Sequence, residues 1–349
     1  MNAVGDTLLS VRDLRVAFAT EKGTVRALFG VSFDVAPGET VGLVGESGCG
    51  KTVTALSILR LLASPPARVE GGQALFHGED LLALPEKRMC AVRGKAISMI
   101  FQEPMTSLNP VLTVGDQVAE VFTAHGVCGK REAAARAVEW LGKVHLPEPS
   151  RRAREYPHQM SGGMRQRAMI AMALALSPAL LIADEPSTAL DVTIQAQILT
   201  LLREMREQER MAVLLITHDL GVVHEFADRT AIMYLGRIVE IAPTGGLFAD
   251  PVHPYTQGLL ASLPGKRPGE RRLPSIPGTV PDLSSVPPGC PFSDRCAFRQ
   301  AALGRFRSGQ AAEDVLSVCD REDPPLFGYS PGHLAACHHQ RALRAGGDR

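Results

Sequence analysis

The chain of 349 residues lacks an excess of either charge, since 37 Lys and Arg offset 37 Asp and Glu. Electrostatic coating of nucleic acid or anionic membrane needs clustered, unbalanced Lys and Arg. That class is excluded, and any anionic ligand must be held locally. The chain also lacks a membrane-length apolar run. Its most apolar window, residues 168–183, is broken by Pro178 and falls short of the roughly 20 residues that span a bilayer. No basic stretch followed by an apolar one opens the sequence MNAVGDTLLSVRD, so a secretory leader is not expected and the cytosol is. In that reducing compartment the seven cysteines read as thiols or metal ligands, not disulfides.

What is present is organised. Residues 8–44 alternate apolar and polar positions in short runs, with Pro37-Gly38 as a turn, and read as strands that are at least partly antiparallel. From Thr52 the pattern TVTALSILRLLA places Leu56, Ile58, Leu59 and Leu62 on one helical stripe. Strands are expected again at 72–83 and 96–101, and mostly helix over 112–176. The continuous apolar runs Ala179–Ala183 and Met211–Ile216 suit strands buried on both faces. Beyond about residue 245 the texture changes: residues 246–349 hold 13 of the 25 prolines and four of the seven cysteines. With no long periodic segment, this part reads as an irregular appendix that needs a staple.

Between the strand VGLV and the helix lies Gly45-Glu46-Ser47-Gly48-Cys49-Gly50-Lys51-Thr52, which fits G-x-x-x-x-G-K-[ST] in the context that makes the motif meaningful. Its glycines let backbone N–H groups curl around phosphate oxygens ahead of a helix N-terminus. Lys51 reaches the β and γ phosphates and Thr52 offers its hydroxyl to Mg²⁺. Cys49 fills the loop and is no nucleophile. The strand Leu180-Leu181-Ile182-Ala183 runs into Asp184-Glu185-Pro186. Two carboxylates at the end of a buried strand are costly unless they face a cation or a polar site. Asp184 suits the Mg²⁺ shell and Glu185 a general base acting on water. Asn occurs only at positions 2 and 109, which leaves no N-K-x-D motif for guanine.

Ser161-Gly162-Gly163-Met164-Arg165-Gln166-Arg167 opens a strong helix that Ser161 can cap, with glycine N–H groups open to an anion. With this segment the sequence resembles the ATP-binding-cassette (ABC) family. YPHQMSGGMRQR is similar to the family signature, ADEPSTALD to its second carboxylate motif with D-loop, and THD to its switch-histidine motif. The resemblance spans about residues 8–325. It implies an α/β fold with a RecA-like core, an antiparallel β subdomain and a helical subdomain near 103–165, all within 1–245, followed by a C-terminal extension over 246–349. It also implies ATP hydrolysis with Mg²⁺. Phe18 would stack on adenine, Gln102 would touch Mg²⁺ or the attacking water, and His218 would contact the γ-phosphate. Ser161, Gly162, Gly163 and Met164 would bind the partner chain's ATP, and Asp191 would lie at the interface. Met160 and Met164 depart from the commoner Leu and Gln, but both are unbranched and of similar size.

The stretch 98–115, with VTALSILRLL, DVTIQAQIL and His253-Pro254-Tyr255-Thr256-Gln257-Gly258-Leu259-Leu260, resembles the ATPases of dipeptide and oligopeptide importers, and most the first of their two paralogues. The expected partners are a paralogous ATPase chain, two multi-span membrane subunits and, indirectly, a substrate-binding protein. The expected place is the cytoplasmic face of the inner membrane. Nickel and glutathione importers share these features. Tandem cassettes, long coiled coils and basic linkers, which mark cassette ATPases acting on DNA or the ribosome, are not evident. Cys290, Cys296, Cys319 and Cys337 offer four thiolates for Zn²⁺ or an iron–sulfur cluster. The short C-x₂₋₄-C pairs usual for zinc are absent, and the resemblance implies [4Fe–4S].

Overall fold

The apolar runs become strands whose side chains are shut off from water. The computed structural model describes residues 7–21, 23–102, 107–186, 191–263, 275–300 and 317–339. In chain order the strands are β1 (Leu9–Thr20), β2 (Gly23–Val35), β3 (Thr40–Val44), β4 (Ala67–Phe76), β5 (Glu79–Asp80), β6 (Ile97–Ile100), β7 (Leu180–Asp184), β8 (Ala212–Thr217), β9 (Arg229–Tyr234), β10 (Arg237–Pro243), β11 (Phe327–Ser330) and β12 (His333–Ala335). The chain divides into two compact units. One comprises Met1–Ser10, Asp34–Thr40 and Leu75–Thr217, the other Val11–Phe33, Val41–Ala74 and His218–Arg349.

In the first unit β6, β7 and β8 run parallel, with Ile97 opposite Leu180 and Leu180 opposite Ala212. Every residue of β6, β7 and β8 is buried, as parallel strands covered on both faces require. The region read as helical carries helices Val114–Ala124, Lys130–Lys143 and Gly162–Leu174. Thr113 caps the first, its hydroxyl accepting from the Asp116 N–H at 3.2 Å. Val114, Val118 and Phe122 are buried on that helix, and Ala137, Trp140 and Leu141 on the next. Buried Gln117 accepts from the Asn109 N–H at 2.8 Å and donates to the carbonyls of Asn109 and Leu112. One amide thereby fixes the irregular chain leading into the helix.

In the second unit β3 pairs with β9 in parallel, and β9, β10, β12 and β11 follow in antiparallel order. The β9–β10 connection is the pair Leu235-Gly236, both at positive φ, 42° and 74°. That combination matches the twist of a two-residue hairpin and is the reason for a glycine here. Tyr234, Tyr255 and Phe292 form the centre of an apolar cluster with Val223, Leu247 and Leu260. The two tyrosine rings lie 4.7 Å apart between centroids. The part expected to be irregular thus contributes helix Pro254–Ala261 and the strands β11 and β12. The difference has a plain cause: strands of four and three residues are too short to display a period.

Buried Glu240 on β10 accepts from the N–H groups of Val252 and His253 at 2.8 and 2.9 Å and lies 2.7 Å from Nε2 of His333. His253 accepts the Tyr255 N–H at its Nδ1, 3.0 Å away, and so must be unprotonated there. Burial pushes His253 down to about 4, with the Glu240 carboxylate opposing. A histidine whose folded pKa lies below its unfolded value takes up its proton on unfolding, so stability falls as the pH drops from 6.5 toward 4. By pH 5 this one group is expected to remove about 2 kcal/mol. Denaturant midpoints at pH 7 and pH 5 test this against His253→Asn, which can still cap the helix but does not titrate. Equal losses in the two proteins would refute it.

Candidate functional site

The phosphate-loop residues belong to the second unit. Gly45 follows β3 directly, and the helix Lys51–Ile58 begins after Gly50, which caps it at φ 106°. A Cβ built on Gly45 would meet the Met233 carbonyl oxygen at 2.2 Å and the Cys49 Sγ at 2.7 Å. The loop lies that close to β9, and no side chain fits between. From below, the Gly236 N–H donates to the Cys49 carbonyl at 2.9 Å. Cys49 is buried, and burial raises its thiol pKa although Lys51 opposes. It is filler, as expected.

Lys51 is only 5% exposed. Its ammonium donates to the carbonyls of Gly45 at 2.8 Å and Glu46 at 3.1 Å, which hold the charge inside the curl of the loop. Ser47 and Gly48 are exposed and Thr52 half-buried. A rim of backbone open to solvent above a fixed cation has the chemistry to accept an anion. Phe18 lies half-buried on β1 of the same unit.

The carboxylate residues belong to the first unit. Asp184 ends β7 opposite Ile216 of β8 and is 1% exposed. Glu185 is half-buried and held at φ 46° by its N–H, which donates to the Ile216 carbonyl at 2.8 Å. The left-handed region is uncommon for a residue with a side chain and concentrates at functional sites. Here it turns the chain sharply after the strand, so two adjacent carboxylates meet different surroundings. Gln102, exposed just beyond β6, donates from Nε2 to Glu185 Oε2 at 3.2 Å. The expected base and the expected water-orienting amide are therefore neighbours.

Ser161 caps the helix Gly162–Leu174, its hydroxyl accepting the Met164 N–H at 3.3 Å. Gly162, Gly163 and Met164 are half-buried, while Met160 packs in the core. Asp191 caps Val192–Glu209, accepting the Ile194 N–H at 2.9 Å. The rest of the D-loop, 187–190, and positions 103–106 after Gln102 lie outside the described residues. His218 follows β8 and is exposed, and Asp219 beside it caps Leu220–Phe226. One residue that sequence reasoning missed is Gln166, buried on the signature helix, whose amide donates to the Pro186 carbonyl beside Glu185. A polar residue on the inner face of a helical stripe was its signal.

Cys290, Cys296, Cys319 and Cys337 line one pocket with His253, His338 and His339, and its free volume of about 20 Å³ equals one water-sized body. Burial first, then repulsion among neighbouring thiolates, pushes Cys290 and Cys337 up to about 12. Cys296 and Cys319 are raised by burial as well. Four such donors suit a thiophilic metal, whose charge would draw off their protons. The arrangement is another matter. Among the described residues no three Cys, His, Asp or Glu side chains are disposed to hold a metal ion. The four cysteines share the pocket, but their arrangement does not support the expected metal centre.

A family model described as ABC transporter matches residues 28–188, and one described as the C-terminal region of oligopeptide/dipeptide transporters matches residues 239–302. A probable peptide ABC transporter ATP-binding protein of Sinorhizobium fredii, y4tR, is 53% identical over 96% of both chains. The dipeptide transport ATP-binding protein DppD of Bacillus subtilis is 52% identical over 87% of this chain and 91% of its own length. The oligopeptide transport ATP-binding protein OppD of the same organism is 48% identical over 93% and 87%. Among solved structures, a dimeric ATP-binding cassette, MJ0796, in a post-hydrolysis state with ADP and phosphate is 27% identical, with a TM-score of 0.61 over 68% of this chain and 98% of that one.

The close approach at Gly45 has a measurable consequence. Gly45→Ala is expected to cost about 1–3 kcal/mol, because the opposing carbonyl belongs to a central strand and cannot retreat. A denaturant midpoint equal to that of the wild type would show that the loop can lift away from β9.

Proposed function

The chain belongs to the ABC transporter family of ATP-binding proteins, and on that premise we propose that it is the ATP-hydrolysing subunit powering uptake of dipeptides or oligopeptides across the cytoplasmic membrane. The observation that carries this reading is the 53% identity over 96% of both chains to a peptide transporter ATPase. The match of residues 239–302 to the C-terminal region of such transporters supports it.

We assign Gly45–Thr52 to the phosphates of ATP, with Phe18 against the adenine. Thr52, Asp184 and Gln102 share Mg²⁺. Glu185 is the base that activates water, aligned by Gln102 and His218. Ser161, Gly162, Gly163 and Met164 complete the nucleotide site of a second ATPase chain, a paralogue, and Asp191 lies at that interface. The pair works at the cytoplasmic face on two membrane subunits that receive cargo from a binding protein. No helix among the described residues is long and apolar enough to cross a membrane. The cassette is assigned to 1–245, with its helical part near 103–165, and the extension to 246–349.

General-base catalysis contributes about 10²–10⁴-fold, so Glu185→Gln is expected to bind ATP normally and to lose at least about a hundredfold in turnover. Wild-type turnover in that variant would overturn the assignment. We propose also that the four cysteines take up a [4Fe–4S] cluster, with Zn²⁺ as the other thiophilic candidate, which requires the sulfurs to re-space around it. Their shared pocket supports this reading. Anaerobically purified protein should be brown, with about four iron and four sulfide per chain. A colourless protein with one zinc would replace the cluster by zinc, and absence of both would leave four half-buried thiols.

A further inference from the structure

Glu46, the first residue after Gly45 in the phosphate loop, is held by residues from the far end of the chain. Arg295, 249 positions later, donates from Nη1 to Glu46 Oε2 at 3.0 Å and from Nη2 to Oε1 at 3.5 Å. The guanidinium is fixed in turn by the Pro277 carbonyl at 3.0 Å and the Tyr234 hydroxyl at 3.4 Å. Its side chain is 7% exposed and that of Glu46 29%. The main chain of Glu46 is held too, its N–H donating to the Tyr255 hydroxyl at 3.2 Å. Arg295 ends the short turn Ser293–Arg295, between Cys290 and Cys296.

A carboxylate inside a loop that curls around phosphates opposes the very ligand the loop is built for. Beside a buried guanidinium the opposition is cancelled; without it a poorly solvated anion would face an anion. We infer that Arg295 is a positioning residue of the nucleotide site: it neutralises Glu46 and fixes the entry to the phosphate loop, so the cysteine-bearing C-terminal segment sets the affinity for ATP. This rests on the reading of residues 45–52 as the ATP phosphate site. Arg295 touches no reacting atom. Its contribution lies in binding and not in the chemical step.

The test is a double-mutant cycle on the full-length chain, reading binding of a fluorescent ATP analogue and ATPase kinetics. Arg295→Met is expected to raise KM and the dissociation constant about tenfold, roughly 1.4 kcal/mol, with kcat changed less than about threefold. Glu46→Gln in the Arg295→Met background is expected to restore both to within about threefold of wild type, since the uncompensated carboxylate is gone. A purely structural arginine would give a double variant no better than the single one, and that result overturns the inference, as does an unchanged KM in Arg295→Met. If Arg295→Met does not fold, Arg295→Lys keeps the charge and loses the fork. It should raise KM about threefold, and a wild-type KM there overturns the inference. Failure of the wild-type chain to bind the analogue would instead refute the ATP reading itself.

Discussion

The approach of the phosphate loop to β9 is the constraint on which the second unit is built. At Gly45 the chain passes so near the Met233 carbonyl that a single added carbon would stand 2.2 Å from it. This closeness presses the loop into a curl, and the curl collects the carbonyls that turn the Lys51 ammonium inward. Read as an anion site, such a loop needs packing around it and no surplus of charge, in keeping with the neutral composition. The parallel pairing of β3 with β9 and the hairpin turn at Leu235-Gly236, whose N–H meets the Cys49 carbonyl, are the floor that keeps the curl in place.

In the first unit the equivalent demand falls on two consecutive carboxylates. Asp184 remains within the strand and is buried, while Glu185 departs from it through a left-handed turn. Alternation along a strand would already send the two to opposite faces; the turn takes Glu185 out of the sheet altogether and toward Gln102. A strained residue needs surroundings that over-determine it. Here they are the bond to Ile216 in β8 and the Gln166 amide on the Pro186 carbonyl. The signature helix is therefore mechanically joined to the turn that bears Glu185.

Much of this was legible in the sequence because it is local. The glycine spacing of 45–52, the apolar runs that became β7 and β8, and the Ser161 cap all depend on residues within a few positions of one another. What escaped is non-local. Nothing in the order of residues joins Arg295 to Glu46 across 249 positions, and β11 and β12 are too brief to announce themselves. The cysteines fall between these cases. Their number and soft donor chemistry were readable, but their disposition follows from how Cys290 and Cys319 meet through a backbone hydrogen bond, which spacing alone does not encode.

The same non-local contacts explain why the C-terminal part is more than an appendix. A buried carboxylate such as Glu240 is costly unless its oxygens are satisfied, and all its described partners come from beyond residue 250: Val252, His253 and His333. Satisfying Glu240 therefore requires the tail to fold against β10. The requirement propagates, because His253 caps the helix that presents Tyr255, and Tyr255 reaches the Glu46 N–H. A path of hydrogen bonds thus runs from β10 through the tail to the phosphate loop. The groups that hold the tail against β10 are linked, bond by bond, to the residue that follows Gly45 in the loop.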